Sequence, residues 1–210
     1  VPRLKNLQGP LLVVVGGSTG AGKSTLVNSI VGRRVTATGV LRPTTRTPVL
    51  VHHPDDTGWF TSGKILPDYV RTGSNSRRAN TIRQVASSTL WPGIAVLDAP
   101  DFDSIDQTNR DMAEQLLGAA DLWLFVTSAA RYADQVPWDF LREAAERSAA
   151  VAIVLDRTPD EAVETVATHL ARMLAARGLK DSPLFTVAER PLLADGLLPA
   201  DAVSEIRGWL

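Results

Sequence analysis

The residues with the clearest chemical capacity lie in a glycine-rich stretch near the N-terminus, GGSTGAGKST. It has the spacing G-x-x-x-x-G-K-S from Gly17 to Ser24, between the apolar run LLVVV and the helical run TLVNSIVG. Glycines at this spacing let successive backbone N–H groups curl around the phosphates of a nucleotide, and the helix that follows points its positive end at them. Lys23 can reach the β- and γ-phosphates, and the Ser24 hydroxyl can bind magnesium. The sequence therefore predicts a phosphate site made by Gly17, Ser18, Thr19, Gly20, Ala21, Gly22, Lys23, Ser24 and Thr25.

A second chemically capable residue, Asp98, ends the apolar run GIAVL. An aspartate at the end of a buried strand can hold magnesium through water beside a phosphate-binding loop. Aspartate is also common at the start of a helix, so the alternative is that Asp98 caps the next helix. The glycine-rich loop favours the metal role, and it makes Ser24 the expected partner of Asp98.

Threonines lie between these two motifs, in the irregular segment Arg33–Thr47. A threonine there can contact both magnesium and the γ-phosphate, and so report whether the terminal phosphate is present. We expect Thr45 to be this residue, a metal ligand with a part in catalysis, and Thr44 is the next candidate. Threonine before a strand is also ordinary β-propensity. Arg42 and Arg46 could stabilise charge on a transferring phosphate.

Short β-branched runs alternate with amphipathic stretches along the chain. Six runs are predicted as strands: Leu11–Val15, Pro48–His52, Gly93–Leu97, Leu122–Thr127, Val151–Leu155 and Leu184–Val187. Several are apolar throughout, which is typical of strands covered on both faces. The alternation predicts an α/β fold with a mainly parallel sheet, helices on both faces, and ligands at the carboxyl ends of the strands. The segment Thr57–Asn80, rich in glycine and polar residues, is predicted to be an insertion or an elongated hairpin.

The length, charge balance and cysteine content of the chain limit the classes of protein to which it can belong. A chain of 210 residues suits one sizeable core, so we expect a single domain. Lys and Arg number 22 against 23 Asp and Glu, and this balance argues against a nucleic-acid partner. The absence of cysteine excludes disulfides and thiolate chemistry and fits a cytoplasmic protein. The last predicted helix stops abruptly at Trp209–Leu210, so we expect the chain to be a fragment of a longer protein.

The order GGSTGAGKSTLVNSIVG, RPTTR, LDAPDFDS and IVLDRTP resembles the first four motifs of the translation-factor class of GTPases. The RPTTR-P segment and the LVNSIVG helix are most similar to bacterial dynamin-like and YfjP-type GTPase domains. This resemblance runs from Leu11 to Glu189 and implies a Ras-like P-loop G domain whose second strand is antiparallel. It also implies GTP as the substrate with Mg²⁺ as the metal, which Ser24, Thr45 and Asp98 would surround.

The same resemblance carries expectations about partners. Domains of this kind are often attached to a helical or membrane-associated region, and they often dimerise across the nucleotide face. A homodimer is therefore expected, as is a peripheral membrane location through regions outside this chain. The expected activity is that of a molecular switch or mechanoenzyme domain.

Guanine recognition is expected from the residues that follow the strand VAIVL. The family motif N/T-K-x-D corresponds to Asp156–Arg157–Thr158–Pro159, which lacks the acidic fourth residue. Asp156 could act in place of the family's first residue with Arg157 stacking its stem over the base, or Asp160 could supply the carboxylate. The alternative is a plain strand-to-helix turn with Asp160 near the cap. Ala188, in the run FTVAE, resembles the fifth motif and would offer a backbone N–H to the base.

The hydrolytic residues depart from the family in another way, because Asp101 replaces the glycine of D-x-P-G. A carboxylate beside the γ-phosphate would repel it unless the side chain points away. Phe102 stands near the place where a Ras-like enzyme has its water-positioning residue. Lys23, Thr45 and Asp101 are the expected catalytic residues, and Asp103 is a further acidic candidate. We expect hydrolysis to be slow and to be stimulated by a partner or a second protomer.

Three alternatives to a GTPase stay open. An ABC-type ATPase shares the glycine-rich loop, but it needs a glutamate directly after the strand aspartate, where this chain has Ala99. A nucleotide or small-molecule kinase could use Arg77, Arg78 and Arg83 as a closing lid. A nonhydrolysing nucleotide-binding module that regulates an attached domain would explain Asp101 and the altered base motif.

Overall fold

The computed structural model describes residues 8–38, 47–63, 65–74, 80–104, 107–146 and 150–210. Within these ranges one sheet contains the strands β1 Leu11–Gly17, β2 Val49–His52, β3 Val70–Thr72, β4 Thr81–Ala86, β5 Ile94–Asp98, β6 Leu122–Ser128, β7 Ala150–Thr158 and β8 Leu184–Ala188. The α-helices are α1 Lys23–Val31, α2 Thr57–Thr61, α3 Gln107–Gly118, α4 Gln135–Glu146, α5 Val163–Ala176 and α6 Ser204–Trp209. Short 3-10 turns at Pro54–Asp56, Asp160–Ala162 and Ala200–Val203 precede α2, α5 and α6.

The sheet is parallel over most of its width. Its strands lie in the order β3-β4-β2-β5-β1-β6-β7-β8. The strands from β5 to β8 in this order are parallel, β2 is antiparallel to β5, and β4 and β3 are parallel to β2. The register places Val15 opposite Asp98, and Ser128 opposite Asp156. The carboxyl ends of β1, β5, β6 and β7 therefore meet at one edge, which is where a parallel sheet binds ligands.

The α/β class, the mainly parallel sheet and the antiparallel second strand are confirmed, but the described residues form eight strands and not six. The two strands that were not predicted, β3 and β4, also run in the direction of β2. β3 has only three residues, and its Val70 is 65% exposed. β4 carries Arg83 and Gln84 in its middle. Because both lie at or next to an edge of the sheet, their hydrophobic pattern is too weak to predict a strand. The predicted insertion Thr57–Asn80 contains α2 and β3 and leads into β4.

Apolar layers cover both faces of the sheet. One layer includes Phe102 and Leu116 together with side chains of α4 and α5, and the other includes Leu26 and Ile30 of α1 with Ile206 of α6. Every residue of α1 except Ser24 is buried. Each fully buried Leu or Ile contributes about 1.5–3 kcal/mol to folding, so α1 and β1 are held firmly on either side of the glycine-rich loop. Among the described helices, none has the length and apolarity that crossing a membrane requires.

Candidate nucleotide-binding site

The glycine-rich loop, residues 18–22, joins the end of β1 to the start of α1. Gly22 precedes the helix with a left-handed backbone, φ 98°, and as the N-cap residue of α1 it has no side chain that could cap the first turn. A Cβ atom on Gly22 would lie 2.0 Å from Asp156 Oδ2, and one on Gly17 would lie 2.0 Å from the Val126 carbonyl oxygen. Only glycine fits at these two positions. The loop therefore brings the N–H groups at the start of α1 to the edge of the sheet, as a phosphate-binding loop requires.

Lys23 is the first residue of α1, and its side chain is only 6% exposed. Its ammonium donates to the Ser18 carbonyl oxygen at 2.9 Å and forms an ion pair with Asp101. The lysine thus folds back over the loop that it follows. Its charge is already directed into the predicted phosphate site, where Asp101 is its ionic partner.

Ser24 and Asp98 meet as predicted. Ser24 Oγ donates to Asp98 Oδ2 at 2.9 Å, and Asp98 is 7% exposed. A hydroxyl and a carboxylate are hard oxygen ligands, which Mg²⁺ prefers. The described residues contain no group of three or more His, Cys, Asp or Glu side chains that could cage a metal ion. This donor set fits Mg²⁺, because Mg²⁺ at phosphate sites commonly uses one or two carboxylates together with water and substrate oxygens.

Thr36 also contacts this pair and was not identified from the sequence. Its hydroxyl donates to the same Asp98 Oδ2 at 2.8 Å. Asn28 of α1 positions it: Asn28 Oδ1 accepts from Val35 N at 2.7 Å and from Thr36 N at 2.9 Å, and Nδ2 donates to the Thr36 carbonyl at 3.0 Å. Asn28 follows Leu26 and Val27 and precedes Ile30 on a helix that the sequence predicts to be packed, and this is the signal that could have indicated such a loop anchor, because buried amides must be hydrogen-bonded.

The segment after β5 is held by a backbone hydrogen bond before Asp101 and by aromatic packing after it. Ala99 N donates to the Val15 carbonyl at 3.1 Å, and Phe102 is fully buried between Phe125 and Phe140. The Asp101 side chain remains 35% exposed at the loop. This arrangement supports the interpretation that Asp101 lies at the phosphate site, and it gives Phe102 a packing role.

Asp103, the other acidic candidate, accepts hydrogen bonds through both of its carboxylate oxygens. Its Oδ1 accepts from Thr19 N at 2.7 Å and from Thr19 Oγ1 at 2.8 Å, while its Oδ2 accepts from Arg131 at 3.0 Å. Arg131 lies in the turn after β6 and was not identified from the sequence. Asp103 thus connects Thr19 of the glycine-rich loop to Arg131.

The predicted base-binding residues lie at the ends of β7 and β8. The pairing of these strands is irregular between Leu155 and Thr158, and Arg157 has a positive φ of 51°. Arg157 N donates to Asp156 Oδ1 at 2.8 Å, and its guanidinium donates to the Gly20 carbonyl at 3.1 Å. Positive φ is uncommon for residues other than glycine, and the few residues that adopt it cluster at functional sites. Asp156 and Arg157 thus adjoin the glycine-rich loop.

Ala188 and Asp160 flank this irregular turn. Ala188 ends β8 opposite Thr158, and Glu189 N donates to the Thr158 carbonyl at 2.9 Å. Asp160 is exposed and begins a 3-10 turn, as in the alternative interpretation of a strand-to-helix turn. Thr45, Thr44, Arg42 and Arg46 lie outside the described residues, as do Arg77 and Arg78.

The Asp156 carboxyl is 4% exposed, and its burial raises its pKa from 3.8 to about 6. The N–H and the charge of Arg157 oppose this rise, and the charge of Glu189 adds to it. Between about pH 4 and pH 6 the folded chain therefore binds more protons at this carboxyl than the unfolded chain does. The free energy of unfolding falls as the pH rises through that window, and the cost of ionisation stays constant above it.

Changing Asp156 to Asn should remove this cost. An asparagine can still accept from Arg157 N, so we expect Asp156→Asn to be more stable than the wild type at about pH 8, by on the order of 2–3 kcal/mol. The difference should shrink towards zero near pH 4. Urea unfolding at about pH 4, 6 and 8 measures it, and Asp160→Asn is the matched control because that carboxylate is exposed. An Asp156→Asn difference that is the same at all three pH values would contradict the assignment.

Comparison with known proteins agrees with this fold. Residues 13–85 match the model of the Dynamin family. No curated protein matches the chain. An oligomerised bacterial dynamin pair, described as providing a mechanism for long-range sensing and tethering of membranes, superposes with a TM-score of 0.62 at 14% identity. That match covers 88% of this chain and 41% of the dynamin chain.

Two structures of Era are also similar. Era from Aquifex aeolicus bound to GDP and AlF4⁻ has a TM-score of 0.58 at 17% identity, over 95% of this chain and 56% of Era. Era in complex with MgGDPNP and a segment of 16S ribosomal RNA has a TM-score of 0.61 at 16% identity, over 96% of this chain and 56% of Era. The chain thus spans little more than half of the length of Era. At such low sequence identity, the structural similarity shows a shared fold and nothing further. The chain therefore has the α/β fold of a P-loop G domain, and over residues 13–85 it is similar to the Dynamin family.

Proposed function

We propose that the chain binds GTP with Mg²⁺ and hydrolyses it slowly. The observation that carries this proposal is the meeting of Lys23, Ser24 and Asp98 at one glycine-rich loop, at the carboxyl edge of a parallel sheet. A nucleoside triphosphate and its metal require a cation for the phosphates, and a hydroxyl and a carboxylate for the metal. The similarity to the Dynamin family and to Era supports GTP as the nucleotide.

The phosphates would lie in the loop from Gly17 to Thr25, with the N–H groups at the start of α1 directed at them. Ser24 and Asp98 would hold Mg²⁺, and Thr45 would complete the metal site from the segment before β2. When bound, the metal would neutralise negative charge on the phosphates during transfer. Thr36 would keep Asp98 oriented, because it donates to the same oxygen as Ser24.

Lys23 must exchange partners when the triphosphate binds. Its ammonium pairs with Asp101, and a γ-phosphate would compete with that carboxylate for it. Asp101 would then be released beside the γ-phosphate, since Phe102 and Asp103 keep the rest of the segment in place. We propose that the released carboxylate orients the attacking water, with Lys23 and Thr45 as the other catalytic residues.

Guanine would lie over Arg157, between Asp156 and Ala188. The guanidinium of Arg157 is held on Gly20, so its stem lies across the gap between the loop and the end of β7. Asp156 would take the place of the family's first base-binding residue, and the N–H of Ala188 would contact the base. This assignment gives the irregular turn of β7 a role in nucleotide recognition.

Calorimetric titration tests the proposal, with nonhydrolysable GTP and ATP analogues, each with and without magnesium. We expect GTP to bind at least tenfold more tightly than ATP, a difference of about 1.4 kcal/mol, and the affinity to fall without magnesium. Equal or tighter binding of ATP would contradict guanine recognition while leaving the phosphate site intact. Binding that does not depend on magnesium would contradict the roles of Ser24 and Asp98.

A nonhydrolysing regulatory module is the second candidate. The ion pair between Lys23 and Asp101 favours this candidate, because the lysine that would contact the phosphates is already paired with a carboxylate. Phosphate release, measured at low and at high protein concentration, separates the two functions. A turnover number that rises with protein concentration would support hydrolysis stimulated by dimerisation, whereas tight GTP binding with no release at any concentration would favour the module.

A further inference from the structure

A chain of three side chains links the glycine-rich loop to the turn after β6. Thr19 donates both its backbone N–H and its hydroxyl to Asp103 Oδ1, at 2.7 and 2.8 Å. Arg131 donates to the other oxygen, Asp103 Oδ2, at 3.0 Å. The partners of Asp103 are 84 residues before it and 28 residues after it in the chain, so tertiary packing brings them together.

The middle residue of this link, Asp103, and its far end, Arg131, are both held by the fold. Asp103 follows Phe102, whose ring is fully buried between two other phenylalanines. The Arg131 side chain extends from a turn closed by hydrogen bonds from Arg131 N to the Ser128 carbonyl at 2.9 Å and from Asp134 N to the Arg131 carbonyl at 3.0 Å. Asp103 is 19% exposed, so its charged hydrogen bonds are largely shielded from water. The carboxylate can therefore hold Thr19 in one place.

Thr19 is the third residue of the G-x-x-x-x-G-K-S motif, in the part of the loop that curls around the phosphates. Small displacements there matter, because phosphoryl transfer depends on positioning more than on covalent chemistry. Arg131 also offsets the charge of Asp103 beside a site that must accept a polyanion. Its second carboxylate partner, Asp134, lies farther away at 3.5 Å and does not contact the loop in the described structure.

We propose that Asp103 and Arg131 are positioning residues that hold Thr19, and with it the phosphate-binding loop, in the geometry for hydrolysis. The expected effect on GTP hydrolysis rests on the proposed function. The expected effect on the position of Thr19 rests on the hydrogen bonds alone. Arg131 acts only through Asp103. Asp103 is thus assigned to the loop and not to proton transfer.

Steady-state GTP hydrolysis with Mg²⁺ tests the kinetic consequence in the purified chain. Arg131→Met should lower kcat by about three- to tenfold, the loss expected for one hydrogen bond, with KM changed by less than about twofold. Arg131→Lys should restore most of the activity, since it keeps a charged donor. Asp134→Asn, which alters the other partner of Arg131, is the matched control and should resemble the wild type.

A double-variant comparison tests whether Arg131 works through Asp103. Adding Arg131→Met to Asp103→Asn should cause no further loss of kcat, because the intermediary is already altered. Losses that multiply would overturn the linkage. An Arg131→Met enzyme with the kcat of Asp134→Asn would also overturn it.

Amide hydrogen exchange at Thr19 gives a readout that does not need turnover. The Thr19 N–H should exchange several-fold faster in Arg131→Met than in the wild type or Asp134→Asn, while amides of β1 keep their rates. A wild-type chain that binds GTP without hydrolysing it would contradict the proposed function, and the exchange rate of Thr19 would then decide this inference alone. Unchanged exchange at Thr19 in Arg131→Met would refute it.

Discussion

Replacing Lys23 with methionine is expected to weaken binding of the GTP analogue by about 100-fold or more while leaving the fold intact. The lysine is the buried cation at the loop, and contact with two phosphates would supply two charged hydrogen bonds worth about 1.5–3 kcal/mol each. Methionine has a similar volume, so the packing of the buried stem is largely kept. The Asp101 carboxylate would lose its ion pair with Lys23, and it is partly exposed to water.

Calorimetric titration measures this loss, and thermal unfolding with circular dichroism checks the fold. Lys180→Met is the matched control, because Lys180 is exposed in the turn before β8. A Lys23→Met protein that is folded and binds the analogue as tightly as Lys180→Met does would refute the central proposal. Such a result would mean that the glycine-rich loop does not hold phosphates through this lysine.

Replacing Asp101 with asparagine is expected to have opposite effects on binding and on turnover. Without the carboxylate, Lys23 loses its ion pair in the nucleotide-free protein, and repulsion of the γ-phosphate is removed. The affinity for the triphosphate analogue should rise by about tenfold, which is about 1.4 kcal/mol. If the carboxylate orients the attacking water, kcat should fall by about 100-fold, the lower range for a positioned acid or base.

Titration with GTP and GDP analogues, followed by single-turnover hydrolysis, separates these effects. The gain in affinity should be larger for the triphosphate, because the γ-phosphate is the group that competes with Asp101. Asp181→Asn, an exposed aspartate in the turn before β8, is the control for loss of one negative charge. Unchanged affinity would show that Asp101 does not compete for Lys23, and unchanged kcat would remove Asp101 from catalysis.

Much of the fold could be predicted from the sequence, because long apolar strands and local motifs carry strong signals. The strands that surround the site were identified, although β1 extends two residues further, to Gly17, than the predicted Leu11–Val15. β3 and β4 could not be predicted, because they are short or polar, and because β4 depends on pairing with β2 and β3 on pairing with β4. Their stability comes from neighbours that are distant in sequence, which a periodic pattern does not reveal.

The sequence by itself determined the phosphate loop and its lysine, since the strand, the glycines and the helix are consecutive and each acts locally. It also placed Asp98 at the end of a strand. Only the tertiary structure decided what these groups contact. Asp101 pairs with a lysine 78 residues earlier, and Arg157 reaches a glycine 137 residues earlier. Thr36 joins Ser24 on Asp98 because Asn28 folds the intervening loop back. Such contacts depend on strand order and register, which bring the ends of β1, β5, β6 and β7 together, and no local pattern encodes them.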